Sequence, residues 1–277
     1  MTDYRVKHAN ARVDFERPLS FSFDGKSYTG YAGDTLASAL LANGVRMMGR
    51  SFKYGRPRGI VGAGPEEPNA LTQVETGALT IPNLKATQVE LYDQLIARRT
   101  TGYPTLEFDL KSLCGPFARF MPAGFYYKTF QNRKLWPRFE HIIRQAAGYG
   151  SAPEEADSES YDHRNSHAQF VIVGGGACGL LAALDAGRAG LDVVLLDEQN
   201  ELGGWLLSSP NTVVGGKSAA AWLKAIIGEL QSLANVKVMT RTSAFALHDM
   251  NLIMAVEQLQ DHLPLKDRDE AKPRQRL

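Results

Sequence analysis

The residues best suited to chemistry lie in one run. Gly174-Gly175-Gly176-Ala177-Cys178-Gly179 has the spacing GxGxxG, preceded by the apolar run Gln169 to Val173 and followed by the alanine-rich stretch Leu180 to Ala189, which Gly190 closes. A buried strand, a glycine turn and a helix in that order make a seat for a pyrophosphate. Gly174 permits the tight turn, Gly176 lets the backbone approach the phosphates, and Gly179 lets the helix pack on the strand, while the helix N-terminus offers free N–H groups. Leu191 to Leu196 predicts a second strand ending in Asp197-Glu198. Asp197 falls 23 positions after Gly174 (197 − 174), near the spacing of about 20 at which a carboxylate receives the adenine ribose hydroxyls. An acid there favours NAD or FAD over NADP, whose 2′-phosphate it would repel. The plain alternative is a tight βα turn with no ligand.

Other chemistry is sparse. Cys178 reads as a small residue whose main chain nears the phosphates, because no histidine stands near it in sequence to make it a nucleophile. Cys114 and Cys178 are the two cysteines, too few for a disulfide framework and too far apart for a Cys-x-x-Cys pair. His141, His163 and His167 are scattered, and no carboxylate pair, triad or metal-ligand cluster stands out, so no catalytic or metal-binding residue is expected. Asp197-Glu198-Gln199 followed by Leu202-Gly203-Gly204 also matches the extended fingerprint of flavoproteins with two dinucleotide-binding domains. That pattern alone does not separate NAD from FAD. Ala244, just beyond the third expected strand (Val236 to Thr240), is a candidate adenine contact.

The elements that must position these residues can be read outward from the turn. Leu19, Phe21 and Phe23 alternate with Ser20, Ser22 and Asp24, the period of a half-buried strand, and Asp24-Gly25 suits a two-residue hairpin turn back into Lys26 to Tyr31. Asp34 or Thr35 then caps a helix carrying Leu36, Leu40 and Leu41, which Asn43-Gly44 ends. Hairpin then helix is the opening of a β-grasp fold. Glycines and prolines forbid a regular element from Val45 to Pro68, a long loop holding Arg46, Arg50, Lys53, Arg56 and Arg58, with no acid before Pro65. Ala70–Thr76 and Ala78–Ile81 predict two short strands, and Gln88 to Arg98 either a helix or an extended segment. The organisation expected is an arm at 1–17, a ferredoxin-like β-grasp domain at 18–100, an aromatic connecting segment at 101–150, an acidic linker at 151–167, and an incomplete dinucleotide-binding domain at 168–277. Ser218 to Leu233 predicts a helix, and Thr242–Leu247 with Leu252–Glu257 a hairpin around Asp249-Met250-Asn251. The fold class is therefore α/β, with an α+β N-terminal part.

Bulk properties exclude several functions. With 31 basic and 30 acidic residues the net charge is +1, which argues against nucleic acid or an anionic membrane as a partner. No apolar run approaches the roughly 18–20 residues of a membrane span. Met1 to Asn10 lacks the apolar core of an export signal, so the cytoplasm is the expected compartment.

Several separate strings carry a resemblance. Arg50 to Gly59 (Arg-Ser-Phe-Lys-Tyr-Gly-Arg-Pro-Arg-Gly), Gly64 to Ala70 (Gly-Pro-Glu-Glu-Pro-Asn-Ala), Ala123 to Phe130 and Val173 to Gly204 resemble, in this order, the alpha subunit family of heterotetrameric sarcosine oxidase. The resemblance runs from about Pro18 to the C-terminus, with Gly55 where the family commonly reads histidine and a bulky Trp205 after Gly204. It implies a β-grasp domain like that of plant-type ferredoxins, whose iron–sulfur relatives carry cluster cysteines in the loop after the helix. Val45 to Pro65 has none, so no [2Fe–2S] cluster is expected. It also implies NAD at Gly174, Gly176, Cys178, Gly179, Asp197, Glu198 and Gln199, with Trp205 after the Gly-Gly pair as a weaker candidate, and flavins in a partner beta subunit beside smaller subunits; Gly175 and Gly204 complete the candidate set. Family members continue with the rest of the dinucleotide domain and a C-terminal domain, so the chain reads as shortened. The alternatives are a non-catalytic docking subunit, or a subunit of a related opine or secondary-amine oxidase or dehydrogenase.

Overall fold

The computed structural model describes residues 4–6, 12–110, 124, 134, 136–209 and 211–277. The chain divides into two units, one of Met1–Ser158 with Pro264–Lys266 and one of Glu159–Leu263 with Asp267–Leu277.

In unit one, β1 (Asp14–Phe23) and β2 (Lys26–Ala32) pair antiparallel, with Phe21 opposite Tyr28. Asp24 and Gly25 both take positive φ, as a type I′ turn requires. Helix α1 (Leu36–Ala42) starts at Thr35, whose side chain accepts the Ser38 N–H while Ser38 answers to the Thr35 N–H. This reciprocal cap satisfies two donors that the first turn leaves free. Asn43 caps its other end, and Gly44 at φ +80° turns the chain away. The basic loop that follows contains only the two-residue pair β3 (Gly49–Arg50) and β4 (Pro57–Arg58). Next come β5 (Leu71–Val74), β6 (Ile81–Lys85) and β7 (Leu95–Arg99). The sheet order is β2-β1-β7-β5-β6, with β1 and β7 parallel and the other neighbours antiparallel. Phe21, Phe23, Leu36, Leu40, Met48 and Leu95 fill its core, so the alternating face of β1 and the apolar face of α1 close on each other.

Two local expectations need correction and one open alternative is decided. Ala78–Ile81 is not a strand. Gly77 at φ +61° opens a 3-10 turn, closed by Thr80 N–H to Gly77 O, so β6 begins at Ile81 and runs to Lys85. Gln88 to Arg98 is not a helix: Val89 O and Leu91 N–H are bonded to the α1 entry, Gln94 turns the chain at φ +66°, and only from Leu95 is the segment a strand. The arm is also more engaged than its polarity suggests: β1 starts at Asp14 rather than near Pro18, and Tyr4 N–H reaches Ala42 O while Arg5 pairs with buried Asp34 at 2.5 Å. From the aromatic segment, α2 (Trp136–Ala147) is described. Cys114, Phe117, Phe120, Phe125, Tyr126, Tyr127 and Phe130 lie outside the described residues.

Unit two begins at β8 (Tyr161–Asp162) and continues into β9 (Phe170–Val173), α3 (Ala177–Arg188) and β10 (Val193–Leu196). A small hairpin, β11 (Val213–Val214) with β12 (Lys217–Ser218), precedes α4 (Ala219–Ser232) and β13 (Val236–Met239). The strands pair in parallel in the order β13-β10-β9. Ile172, Leu180, Leu184, Leu195, Leu223 and Leu230 form the core between strands and helices. β14 (Thr242–His248) and β15 (Leu252–Gln258) make the expected hairpin, turned by Met250 and Asn251 at positive φ. The polar end of the chain is structured as well. β16 (Gln275–Arg276) pairs with β15 and with β8, and Arg274, with its side chain 4% exposed, is paired to Glu159 and Asp261.

Candidate dinucleotide-binding site

β9 delivers Val173 to the glycine turn at the carboxyl end of the parallel sheet, where open α/β sheets bind ligands. Gly174 has φ +100° and its N–H donates to Leu196 O at 2.8 Å, so the turn is bonded to β10 as it leaves β9. Gly176 is the N-cap of α3, and Leu180 N–H returns to Gly176 O. Each glycine answers to a different demand. A Cβ at Gly179 would lie 1.9 Å from Gly174 O, and one at Gly175 would lie 2.4 Å from Leu202 Cδ2. A Cβ at Gly174 or Gly176 would meet nothing within 4 Å. Gly175 and Gly179 are therefore fixed by packing, whereas Gly174 and Gly176 border open space beside the helix N-terminus, where a diphosphate needs room. Cys178 is exposed in the first turn of α3.

Asp197 ends β10 and is 7% exposed. Its Oδ2 accepts the Gly175 N–H at 2.5 Å and its Oδ1 accepts the Gln199 N–H at 2.7 Å. The expected ribose acceptor thus first holds the glycine turn in shape, and the remaining lone pairs of its oxygens are what a ribose hydroxyl can use. Glu198 beside it is exposed. Gln199 is bonded through its carbonyl to Arg241 N–H, while its side-chain Nε2 is buried with no hydrogen-bond partner among the described residues. A buried amide donor beside the turn fits a site shaped for an acceptor.

A second loop closes on the turn. Gly203 N–H donates to Gly175 O at 2.8 Å, and a Cβ at Gly204 would lie 3.2 Å from Gly176 Cα. Buried Leu202 and Leu206 anchor this loop and leave Trp205 64% exposed. On the other side, Val173, Ala244, Phe245, Ala246, Leu247 and Ile253 line an open apolar groove of about 290 Å³. Ala244 is thereby brought to the same groove as the residue preceding Gly174. Thr242 is an element that sequence reasoning missed: 2% exposed, it donates its N–H to Asp197 O. Its only sequence signal is a hydroxyl residue at the start of the strand after β13. Among the described residues no group of three or more His, Cys, Asp or Glu side chains is placed to hold a metal ion.

Two family models match the chain. A family model described as FAD dependent oxidoreductase matches residues 169–259, and one described as 2Fe-2S iron-sulfur cluster binding domain matches residues 16–102. The chain is similar to sarcosine oxidase subunit alpha. It is 48% identical to that subunit of Rhizobium meliloti (strain 1021) over 265 residues, covering 95% of this chain and 27% of the relative. With the subunit of Corynebacterium sp. (strain P-1) it shares 32% identity over 265 residues, covering 95% of this chain and 23% of the relative. The chain thus spans about a quarter of the length of these relatives. Among solved structures it is similar to L-proline dehydrogenase from P. horikoshii, with TM-score 0.52 and 20% identity over 87% of this chain and 37% of that one, a likeness of fold.

The two matches differ in how the residues present fit the implied group. The dinucleotide turn fits, with room at two glycines, an unpartnered donor at Gln199 and a carboxylate at Asp197. The iron–sulfur description does not fit, because residues 16–102 contain no cysteine and cluster iron is held by thiolates. Among the described residues no helix is long and apolar enough to cross a membrane.

Proposed function

We propose that the chain acts within the alpha subunit of a sarcosine oxidase-like complex, an oxidoreductase acting on CH–NH donors. In this reading it binds NAD and supports oxidative demethylation of sarcosine to glycine, with flavins in a partner beta subunit of a cytoplasmic heterotetramer. The observation that carries the reading is the turn at Gly174–Gly179. Its two open glycines and the α3 N-terminus offer backbone donors to a diphosphate. Asp197 and Gln199 would meet the adenine ribose, and the groove beside Val173 and Ala244 would take the adenine ring. Exposed Trp205, next to Gly204, would flank the diphosphate. The bound dinucleotide would supply hydride transfer. Identity of 48% over 95% of the chain to a sarcosine oxidase alpha subunit supports the substrate class.

The match to the FAD dependent oxidoreductase model favours a second reading, in which the same turn holds FAD. One experiment separates the two. The chain is co-expressed with a candidate flavin-bearing beta subunit, and the cofactors of the purified complex are extracted and quantified. NAD in a one-to-one ratio to this chain is the expected result. FAD that stays with this chain after the partner is removed would replace NAD in the proposal. If the chain binds neither dinucleotide and captures no flavoprotein, the enzymatic reading is lost.

A further inference from the structure

The long loop of unit one between α1 and β5 has no regular core, yet its backbone donors converge on one point. Glu67 is 1% exposed. Its Oε2 accepts the N–H groups of Val61 at 2.7 Å and Gly62 at 2.6 Å, and its Oε1 accepts that of Asn69 at 2.8 Å. The surrounding chain is tied to the same place. Asn69 Nδ2 donates to Gly59 O at 3.1 Å, Thr87 Oγ1 donates to Gly64 O at 2.8 Å, and Ala86 N–H donates to Ala70 O at 2.9 Å. A Cβ at Gly62 would lie 2.9 Å from Glu66 Oε1 and 3.2 Å from Glu67 Cα, so the loop is wrapped closely on this pair. The neighbouring Glu66 differs: its Oε1 takes the Ala63 and Gly64 N–H groups at the exposed rim, and the Lys85 ammonium reaches Pro65 O.

This loop lies inside the span matched by the 2Fe-2S model, where no thiolate is available. A thiolate-bound cluster is an electron-rich body whose sulfurs accept hydrogen bonds from the loop around them. A loop of that kind with nothing at its centre would leave inward N–H groups unpaired, at a cost of about 1–3 kcal/mol for each buried group. Glu67 removes that cost from within the chain. Charge-assisted bonds from the backbone suffice to hold a buried carboxylate without a cation.

We propose that the Glu67 carboxylate is a built-in anion that folds the loop 59–70, doing in this domain what a cluster does in an iron–sulfur domain, so that unit one is a scaffold without a redox centre. The proposal stands apart from the dinucleotide reading, and its test uses no activity. In the full chain, Glu67→Ala removes the anion and leaves a gap of carboxylate size, Glu67→Gln keeps the shape without the charge, and Glu66→Gln serves as the control. Thermal melting is followed with formate or with chloride at equal ionic strength, and iron is assayed in anaerobically purified wild type. Both Glu67 variants are expected to lose at least about 5 °C in Tm, a shift within the reach of lost charge-assisted bonds. Formate is expected to restore the Ala variant in a saturating manner that chloride does not reproduce, with wild type and the Glu66 variant unmoved. If the Ala variant does not fold, Glu67→Gln alone carries the test through its Tm and the amide exchange of Val61, Gly62 and Asn69. Glu67→Gln melting with wild type and showing unchanged exchange would overturn the proposal, as would an Ala variant that folds yet is indifferent to formate. Iron and a visible cluster band in wild type would overturn it as well.

Discussion

A methyl group at Gly179 would lie 1.9 Å from Gly174 O, whereas one at Gly176 would meet nothing within 4 Å, so two alanine substitutions in one motif separate folding from binding. Gly179→Ala must displace backbone, and is expected to cost about 2 kcal/mol or more, in the range of overpacked cores. Gly176→Ala has no strain to pay, since its φ of −71° is open to any L-residue. It should melt with wild type and lose about tenfold or more in NAD affinity, because the added carbon occupies the phosphate approach. Thermal melting and titration calorimetry read the two effects; equal melting of both variants would contradict the packing role of Gly179. Asp197→Ala should lower both quantities, since the carboxylate accepts the Gly175 and Gln199 N–H groups and is the ribose acceptor of the proposed reading. Each donor left unpaired and buried costs about 1–3 kcal/mol.

At the scale of elements, the end of unit two is held by charge. Arg274 donates to Glu159 and Asp261 with its side chain 4% exposed, and Arg268 joins Glu159 at 3.1 Å. Burial lowers the Arg274 pKa, but the facing Asp261 and Glu159 outweigh it and raise the value overall, so this guanidinium stays charged. Arg274→Met should cost about 3–5 kcal/mol, the range for removing one partner of a buried pair. Chemical denaturation monitored on unit two checks it, and a change under 1 kcal/mol would assign the network to surface decoration. In unit one the loop around Glu67 has a defined pH dependence. Desolvation raises the Glu67 pKa, but the N–H groups of Gly62, Asn69, Val61 and Ala70 outweigh it and hold the group below its ordinary 4.5. A lowered folded pKa means that this contribution is fully present above the unfolded value and is lost as pH falls through the folded one. The Tm difference between wild type and Glu67→Gln should therefore be constant near neutrality and shrink below about pH 4.5. Glu66, also held low by backbone N–H groups, and the Lys85 ammonium are the charged groups nearby. The Glu66→Gln background removes the overlapping titration.

Among the described residues there are two separate hydrophobic cores, one around Leu36, Leu40 and Leu95 and one around Leu180, Leu195 and Leu230. Leu95 and Leu195 are both fully buried. Leu195→Ala should lower the transition of unit two by about 2–5 kcal/mol, and Leu95→Ala that of unit one by a similar amount. Scanning calorimetry should then show each substitution moving its own transition more than the other. Equal movement of the whole melting curve by both would mean that the units unfold as one.

The glycine turn, the hairpin at Asp24-Gly25, the capped helix at Thr35 and the hairpin at Met250-Asn251 were legible in the chain, because each depends on neighbours within a few residues. Continuous apolar runs likewise placed β9 and β10, but only β10 is a buried strand: β9 buries Ile172 alone and leaves Phe170, Val171 and Val173 exposed. The paired use of Gly175 and Leu202, the bracing of the turn by Asp197 and the meeting of Val173 with Ala244 join residues distant in sequence. The same holds for the polar end of the chain, which is tied down by β15, β8 and the partners of Arg274. Residue order by itself determined which segments turn, cap and alternate. Tertiary structure alone decided which backbone N–H groups converge on Asp197 and on Glu67, because burial and convergence are properties of chain segments brought together from a distance.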